Sequence, residues 1–439
     1  MSLKLLLIQL NEINFDLVSK YLSASKKNKF KNLKIIKNNF KFFNTYAEDE
    51  YENLEPWIQW VSVYLGKDFS GHKIFRLGDI VNYSGGKQIF EKIEDKGFKV
   101  GAISPMNADN RLEDASYFIP DPWTKHHSRC TNFGFSKRLS SMLSQTVNDN
   151  ASGNLSFSSL LTIIEIIFRA LRFKDIPFLV GLVFSSILKP WKKSLVLDYL
   201  IHITHIYFLK KKLPNFSSVF FNAGAHIQHH YFNNTKLINN LPKNPKWYVD
   251  PLCDPIEDML EIYDKIIGDY LNLSKNENQL LIATGLSQKQ YDSTKFYYRL
   301  KNHCSFLNKI GVNYLKVLPR MTRDFEIIFE NNQDLIHAKN ILENIRCEQD
   351  NTIVFNEIDE RNKSLFVTLT YPHEIKKKII IINNNKKLNF YNEVVFVAIK
   401  NGMHDSKGYV FYSPSSHFTM PKNPIHVSKL HDMILSYFN

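Results

Sequence analysis

The sequence predicts an α/β protein with a mostly parallel sheet and helices on both of its faces. Strand-like and helix-like segments alternate along the first part of the chain, which is typical of a parallel sheet. The strand-like segments are nearly continuous apolar runs, as expected for strands buried on both faces. Hydrophobic residues make up 44% and charged residues 23% of the 439 residues, which excludes disordered, collagen-like and coiled-coil proteins.

The elements are assigned in chain order from apolar periodicity and from helix-end residues. Gly97, for example, suits the end of a helix and is followed by a new apolar run. Strands are predicted at Lys4–Leu10, Phe40–Thr45, Lys99–Ser104, Ser217–Asn222, Gln279–Thr284, Ile353–Phe355, Leu365–Thr370, Val394–Ala398 and Gly408–Tyr412. Helices are predicted at Phe15–Leu22, Glu55–Leu65, Gly85–Lys96, Asp254–Leu271 and the C-terminus.

The middle of the chain departs from this alternation. A stretch rich in Ser and Asn, Leu139–Ser159, opens a strongly helical segment that runs to about Lys212. We therefore predict one large α/β core, residues 1–150 and 214–439, with a helical insertion or cap at 151–213.

Charge and cysteine content narrow the range of partners. The net charge is +13, which suits nucleic acid, anionic membranes or phosphorylated substrates. The basic runs lack interleaved aromatic residues and match no nucleic-acid module, so we expect no nucleic-acid partner. The four cysteines lie far apart and form no CxxC pair, which argues against disulfides and a structural zinc site and favours a reducing compartment.

Two segments bear on location. The apolar N-terminal run meets Asn11, Glu12 and Asn14 at once, so it is interpreted as a buried strand and not as a signal peptide, and a cytoplasmic protein is expected. Ile176–Leu188 is apolar and has basic flanks, but it is shorter than the roughly 20 residues of a membrane span. It is either a buried helix of the insertion or a helix on a membrane surface, so peripheral membrane contact through 151–213 stays open.

Polar clusters stand where predicted strands end or begin. Because ligands bind at the carboxyl ends of strands in open α/β sheets, such clusters are expected to converge on one site. Glu55 precedes Pro56 at a helix start, where a negative charge is favourable, and three histidines fall within five residues at 226–230. The clusters are Leu10–Asn14, Glu52–Trp60, Asn222–His230 and Asn401–Gly408.

The order of these clusters resembles the alkaline phosphatase superfamily, and most closely its type I phosphodiesterase/nucleotide pyrophosphatase branch. The stretch from Trp60 through Gly66 to His72 and Phe75 looks like the nucleophile-helix region. Ala225-His226-Ile227-Gln228-His229 looks like the Asp-x-x-x-His motif, and Gly402-x-His404-x-x-x-Gly408 matches the last motif. Leu281–Ser287 lies where a Ser-Asp-His stretch is expected. The resemblance covers most of the chain outside the helical segment, and it implies that superfamily's fold.

The sequence departs from the superfamily at its metal ligands. Asn11 stands where the first metal-binding Asp is expected, Ala225 replaces a second, and Leu286 with Ser287 replaces the Asp-His pair. Ser, Thr and Cys are absent from the expected nucleophile position near Glu55. Two zinc ions need about three protein ligands each, so the usual two-metal site is not expected.

The remaining side chains suit acid–base chemistry or a single ion. Glu12, Glu55, His226 and His229 are the candidate catalytic residues. His229 and His404, with a carboxylate such as Glu12, are candidate ligands of one divalent ion, zinc or manganese, and a metal-free site is equally open. Candidate substrate-binding residues are Asn11, Arg320 and Arg323, the last two because guanidinium groups bind phosphate through paired hydrogen bonds.

The expected function is therefore that of an atypical phosphodiesterase- or phosphatase-like hydrolase or transferase. Its substrate would be a phosphorylated small molecule or glycolipid, such as a nucleotide- or lipid-linked glycan. The alternative is a non-catalytic protein of the same fold that binds a phosphorylated glycan or lipid, or scaffolds a partner. The missing ligands support the alternative, and the surviving carboxylates and imidazoles support the enzyme.

Overall fold

A computed structural model describes residues 3–124, 134–148, 156–238, 243–274, 278–320, 323–383, 386–415 and 418–439. The chain forms two compact units. The first comprises Met1–Gln290 and Gly402–Asn439, and the second comprises Tyr291–Asn401.

The strands of the described residues are numbered in chain order. They are β1 (Leu5–Leu10), β2 (Lys41–Tyr46), β3 (Val100–Ile103), β4 (Tyr117–Ile119), β5 (Phe216–Phe221), β6 (Gln279–Ala283), β7 (Ser287–Leu300), β8 (Lys316–Pro319), β9 (Asp324–Ile328), β10 (Arg346–Cys347), β11 (Glu357–Arg361), β12 (Ser364–Thr368), β13 (Ile380–Asn383), β14 (Lys386–Asn389), β15 (Val394–Asp405), β16 (Lys407–Tyr412) and β17 (Ile425–His426).

The α-helices of the described residues are numbered in the same way. They are α1 (Phe15–Ala24), α2 (Lys31–Asn39), α3 (Pro56–Leu65), α4 (Phe69–His72), α5 (Ile89–Asp95), α6 (Gly134–Asn148), α7 (Phe157–Ala170), α8 (Ile176–Leu188), α9 (Lys192–Lys212), α10 (Ala223–Tyr231), α11 (Pro255–Ser274), α12 (His303–Ile310), α13 (Asn332–Asn344), α14 (Phe390–Glu393) and α15 (Leu430–Ser436).

The first unit is organised by an eight-stranded sheet in the order β17-β2-β16-β6-β1-β5-β3-β4. Strand β1 runs parallel to both β5 and β6, and only β16 pairs antiparallel with its neighbours β2 and β6. All six residues of β1 are buried, and its side chains alternate between two cores. Leu6 and Ile8 pack on the side of α1, α9 and α11, whereas Leu5 and Leu7 pack on the side of α3, α5 and α15. The predicted fold class is therefore confirmed.

The predicted helical segment contains α7, α8 and α9. Helix α9 is buried over most of its length, and both α7 and α8 pack against it. Among the described residues, every helix is too short or too polar to cross a bilayer. The role of 151–213 as an insertion or cap stays a prediction.

The second unit has a hydrophobic core of its own, which includes Phe306, Phe325 and Val367. Strands β11, β12, β9 and β8 form an antiparallel sheet in that order, and β10, β13 and β14 form another. The strand predicted at Ile353–Phe355 is wrong. Ile353 makes only an isolated bridge with Arg346, and the two apolar residues after it are buried in the core without joining a sheet.

Two further differences from the predicted elements concern the length of β15 and the presence of α2. Strand β15 continues to Asp405, so the last polar cluster lies at the end of a long strand and not in a turn that follows a short one. Helix α2 occupies a lysine-rich stretch that gave no helix prediction, and only Leu33 and Ile36 of this helix are buried.

Candidate metal centre

Three polar side chains from distant parts of the sequence meet at the carboxyl ends of β1 and β5. His229 Nε2 lies 3.0 Å and His404 Nε2 lies 3.2 Å from the same oxygen of Glu12, Oε2. Potential ligand atoms of the three residues all lie within 4.8 Å of one another. Glu12 and His404 are buried, and His229 is partly buried.

Glu12 is held in an unusual backbone conformation. It follows β1 with φ at 60°, in the left-handed region that residues with a side chain rarely adopt. Its N–H donates to the carbonyl of Thr284 at 3.1 Å, and its own carbonyl accepts from Gln228 Nε2 at 2.9 Å. These contacts on both sides fix the turn after β1, so the strain is held in place by the sheet and by α10.

Amide side chains fix both carboxylate oxygens of Glu12. Asn11 Nδ2 donates to Oε1 at 3.0 Å, and Gln288 Nε2 donates to Oε2 at 2.5 Å. Asn11 is in turn oriented by Trp60, whose indole N–H donates to Asn11 Oδ1 at 2.9 Å. The same Nδ2 also donates to Asn222 at 2.8 Å.

The charge state of Glu12 follows from its surroundings. Burial alone raises its pKa, but the charges of His404 and His229 and their hydrogen bonds outweigh burial and hold the pKa well below its usual value of 4.5. The carboxylate is therefore in the ionised form that metal ions bind.

Helix α10 carries His229, and a buried carboxylate fixes the start of this helix. Asp198 of α9 accepts from the N–H groups of Ala223 at 2.9 Å and Asn222 at 3.3 Å, which are otherwise unpaired at a helix start. The hydroxyl of Tyr263 also donates to Asp198 at 2.8 Å. Burial raises the pKa of Asp198 to about 7, although these three hydrogen bonds lower it.

The two imidazoles have partners on their other nitrogen atoms. His229 Nδ1 lies 3.2 Å from the carbonyl oxygen of Gly402, which can only accept, so Nδ1 carries the hydrogen and Nε2 is the ligand atom. His404 Nδ1 lies 3.7 Å from Glu55 Oε2. Glu55 is also the residue directly before α3, and its backbone carbonyl accepts from the N–H groups of Ile58 and Gln59.

Gly402 is a position where only glycine fits. A Cβ atom there would lie 2.3 Å from Gln288 Oε1 and 2.7 Å from the backbone carbonyl oxygen of Gln228. The end of β15 can therefore approach α10 closely enough to place His404 beside His229, with their ring centroids 5.0 Å apart.

The other predicted site residues lie outside this group. His226 packs on His230 with ring centroids 4.7 Å apart, and burial with the nearby charge of His229 lowers its pKa to about 4. Arg320 and Arg323 belong to the second unit. There Arg320 pairs with Glu326, and the guanidinium of Arg323 lies 4.1 Å from the centre of the Tyr297 ring.

Sequence reasoning missed the two glutamines. Gln228 had a weak signal, since it lies between two histidines of a polar cluster. Gln288 comes directly after Leu281–Ser287, the stretch that lacks the expected Asp and His. Each glutamine donates one hydrogen bond from its side-chain amide to Glu12. An isolated contact of this kind produces no periodic pattern in the sequence.

The donor set fits one divalent ion. A carboxylate with two imidazoles is a common zinc ligand set, and three protein ligands leave a coordination position for water or substrate. The hydrogen bond that orients His229 is the kind of outer contact that supports metal-binding histidines. The residues present therefore suit a single-ion site. Among the described residues, this is the one group of three such side chains with ligand atoms this close together.

No protein-family model and no curated protein matches the chain. It is similar to the solved structure of murine ectonucleotide pyrophosphatase/phosphodiesterase 5, with 10% identity, a TM-score of 0.44 and coverage of 99% of this chain and 95% of that one. It is also similar to phosphonoacetate hydrolase from Sinorhizobium meliloti 1021 in complex with phosphonoacetate, with 10% identity, a TM-score of 0.45 and coverage of 100% and 96%. Wild-type alkaline phosphatase PafA gives 10% identity, a TM-score of 0.47 and the same coverage, 100% and 96%.

Proposed function

We propose that the chain is a metal-assisted hydrolase or transferase that acts on a phosphate ester. The observation that carries the proposal is the meeting of Glu12, His229 and His404 within 4.8 Å of one another. Their position at the carboxyl ends of parallel strands is where ligands bind in open α/β sheets. The sequence motifs that resemble the phosphodiesterase branch of the alkaline phosphatase superfamily support the same class of reaction.

A bound zinc or manganese ion would polarise a phosphoryl oxygen and lower the pKa of a bound water. The chain's own residues hold the ligands for this task. Asn11 and Gln288 fix the carboxylate of Glu12, and the carbonyl of Gly402 fixes the imidazole of His229. Because these side chains are already held in place before substrate binds, little conformational entropy is lost on reaching the transition state. Such preorganisation lowers the activation free energy.

Glu55 is the proposed proton acceptor. Its side chain is 30% exposed to solvent, and its Oε2 lies 3.7 Å from His404 Nδ1. Glu55 therefore contacts both solvent and a ligand of the proposed metal site. A carboxylate in this position can take the proton of an attacking water or hydroxyl group as its oxygen bonds to phosphorus, and release it to solvent. The ester oxygen then leaves the phosphorus and takes a proton from solvent. The proposed substrate is a nucleotide- or lipid-linked glycan phosphate, which the net charge of +13 favours electrostatically.

Turnover of bis(4-nitrophenyl) phosphate and 4-nitrophenyl phosphate with added Zn²⁺, Mn²⁺ or Mg²⁺ tests the proposal. We expect metal-dependent release of nitrophenol that falls by at least about 100-fold in Glu12→Gln and His229→Ala. His337→Ala is the matched control, because His337 is exposed in the second unit. Turnover that is equal in Glu12→Gln and the unmodified protein would show that another site is responsible.

A second candidate is a non-catalytic binding protein. It is favoured by the hydrogen bonds of Glu12, since both carboxylate oxygens already accept from amides while Oε2 also lies beside two imidazoles. Such a network can be a satisfied structural feature without any ion. A protein that contains no metal as isolated, takes up none from solution and turns over neither ester favours this candidate.

A further inference from the structure

We propose that helices α7 and α8 dock the protein on an anionic lipid membrane. The proposal goes beyond the proposed reaction and does not depend on it. It begins with α7, whose buried positions are Ser159, Thr162 and Ile166. Five large apolar side chains of this helix instead point to solvent, and 85% of the surface of Phe168 is exposed. The exposed apolar residues of α7 are Phe157, Leu160, Leu161, Ile164 and Phe168.

Helix α8 repeats the pattern. Its buried side is narrow and consists of Leu179, Leu182 and Ser186, and its solvent side carries apolar residues over the whole length of the helix. Leu188 at its end keeps 86% of its surface exposed. The exposed apolar residues of α8 are Ile176, Val180, Val183, Phe184, Ile187 and Leu188.

This distribution is opposite to that of an ordinary surface helix, which buries its apolar stripe and exposes polar residues. Exposed apolar surface on this scale marks a site that is covered in use. The two helices contain 14 and 13 residues, which is well short of a bilayer span. They are long enough to lie in the interface between headgroups and acyl chains with their apolar faces inserted.

Charge at the ends of these helices identifies the occupant. Lys174 lies in the connection between α7 and α8. Lys193 lies in the first turn of α9, which follows α8, and Lys210 and Lys211 lie in its last turn. All four lysines are exposed. A protein partner would need acidic groups to match them, whereas an anionic leaflet offers negative charge everywhere along its surface. Each lysine near such a surface strengthens binding by about 1 kcal/mol.

A cavity of about 250 Å³ lies where α7 ends and α9 passes beneath it. Arg169, Arg172, Lys210 and Lys211 contribute to its lining, and Asp269 is the acidic residue among them. Its wall also includes His202, which is buried and whose Nδ1 has no hydrogen-bond partner among the described residues. A basic cavity at the end of an apolar helix face suits the phosphate of a lipid headgroup whose acyl chains lie along that face.

Flotation of the full chain with vesicles tests the proposal. We expect binding to vesicles of equal parts phosphatidylcholine and phosphatidylglycerol, weak binding to phosphatidylcholine alone, and loss of binding as salt is raised. Phe184→Ser with Leu188→Ser should lower the partition coefficient about 100-fold, since each side chain loses about a tenfold contribution from burial. Lys210→Gln with Lys211→Gln should lower it about 25-fold, at about fivefold for each charge.

The matched control is Ile336→Ser with Leu315→Ser, which removes two exposed apolar residues of the second unit. This control should bind vesicles as the unmodified protein does. Thermal unfolding of each variant shows that the fold is retained, which is expected because every changed residue is exposed. Equal binding to neutral and anionic vesicles would overturn the proposal. Absence of binding to the anionic vesicles would also overturn it, and a dimer in light scattering that Phe184→Ser with Leu188→Ser dissociates would then identify a second copy of the chain as the occupant.

Discussion

Gly402→Ala is the most informative single substitution near the centre. The added Cβ would lie 2.3 Å from Gln288 Oε1 and 2.7 Å from the carbonyl oxygen of Gln228, whereas ordinary contacts begin at 3.4 Å. Because both contacts are too short, both partners must give way by roughly an ångström, or Gly402 itself must move away from them. The carbonyl belongs to α10 and precedes His229, so a shift there displaces a metal ligand, and a shift of Gln288 removes a hydrogen bond from Glu12.

The expected cost to folding is about 1–3 kcal/mol, which is typical of an added methyl group in a closely packed place. The expected loss in Zn²⁺ affinity is about 10- to 100-fold, as for other changes in residues that orient metal ligands. Urea unfolding followed by circular dichroism measures the first quantity, and competition with a chromophoric chelator measures the second.

Gly181→Ala is the control for this substitution. Gly181 lies in α8, and a Cβ there would meet open space, so alanine should raise the free energy of unfolding by about 0.5–1 kcal/mol through its better helix propensity. Its Zn²⁺ affinity should not change. If Gly402→Ala binds Zn²⁺ as tightly as Gly181→Ala does, the close approach of β15 to α10 does not position the ligands, and the reasoning is refuted.

Three other expected outcomes follow from buried polar contacts. Trp60→Phe should lower the free energy of unfolding by about 1–3 kcal/mol, because it leaves the buried Oδ1 of Asn11 without its donor; urea unfolding measures this. Gln288→Met keeps the length of the side chain and removes the hydrogen-bond donor to Glu12. The Zn²⁺ affinity measured in the chelator assay should therefore fall about 10- to 100-fold. An unchanged affinity would contradict the role assigned to the Gln288 amide. Burial raises the pKa of Asp198 from 3.8 to about 7. The folded state therefore binds the proton of this carboxyl more tightly than the unfolded state does. The stability that this proton contributes is lost as the pH rises from 3.8 to about 7. The free energy of unfolding should therefore fall less steeply between these pH values in Asp198→Asn, and parallel pH profiles for the two proteins would refute this.

The central sheet could be predicted because its strands are apolar runs that stay buried on both faces. Leu5–Leu10 and Phe216–Phe221 read as such runs, and both lie at the centre of the sheet. Helix α2 could not be found in the same way, because six of its nine residues are Lys or Asn and Phe30 before it provides no side-chain cap. The second unit gave no signal either, since the chain enters and leaves it through the long strands β7 and β15 without a flexible, Gly- or Pro-rich linker.

Part of the candidate centre could also be predicted from residue types at strand ends. Glu12, Glu55, His226, His229 and His404 were expected to face one cleft. The structure brings Glu12, His229 and His404 together and places Glu55 3.7 Å from His404, whereas His226 packs on His230 instead. What the sequence could not show is how they are held. The positive φ of Glu12, the close approach at Gly402 and the amide contacts arise from tertiary packing and not from any local pattern.

The central claim is that Glu12, His229 and His404 form a single-ion metal site. Metal analysis by mass spectrometry of the purified chain, after equilibration with Zn²⁺ and removal of unbound ions, tests it most directly. One equivalent of zinc per chain is expected in the unmodified protein and in His337→Ala, and about none in a variant that combines His229→Ala with His404→Ala. A folded protein that retains no zinc, or a double variant that retains as much as the unmodified chain, would contradict the claim.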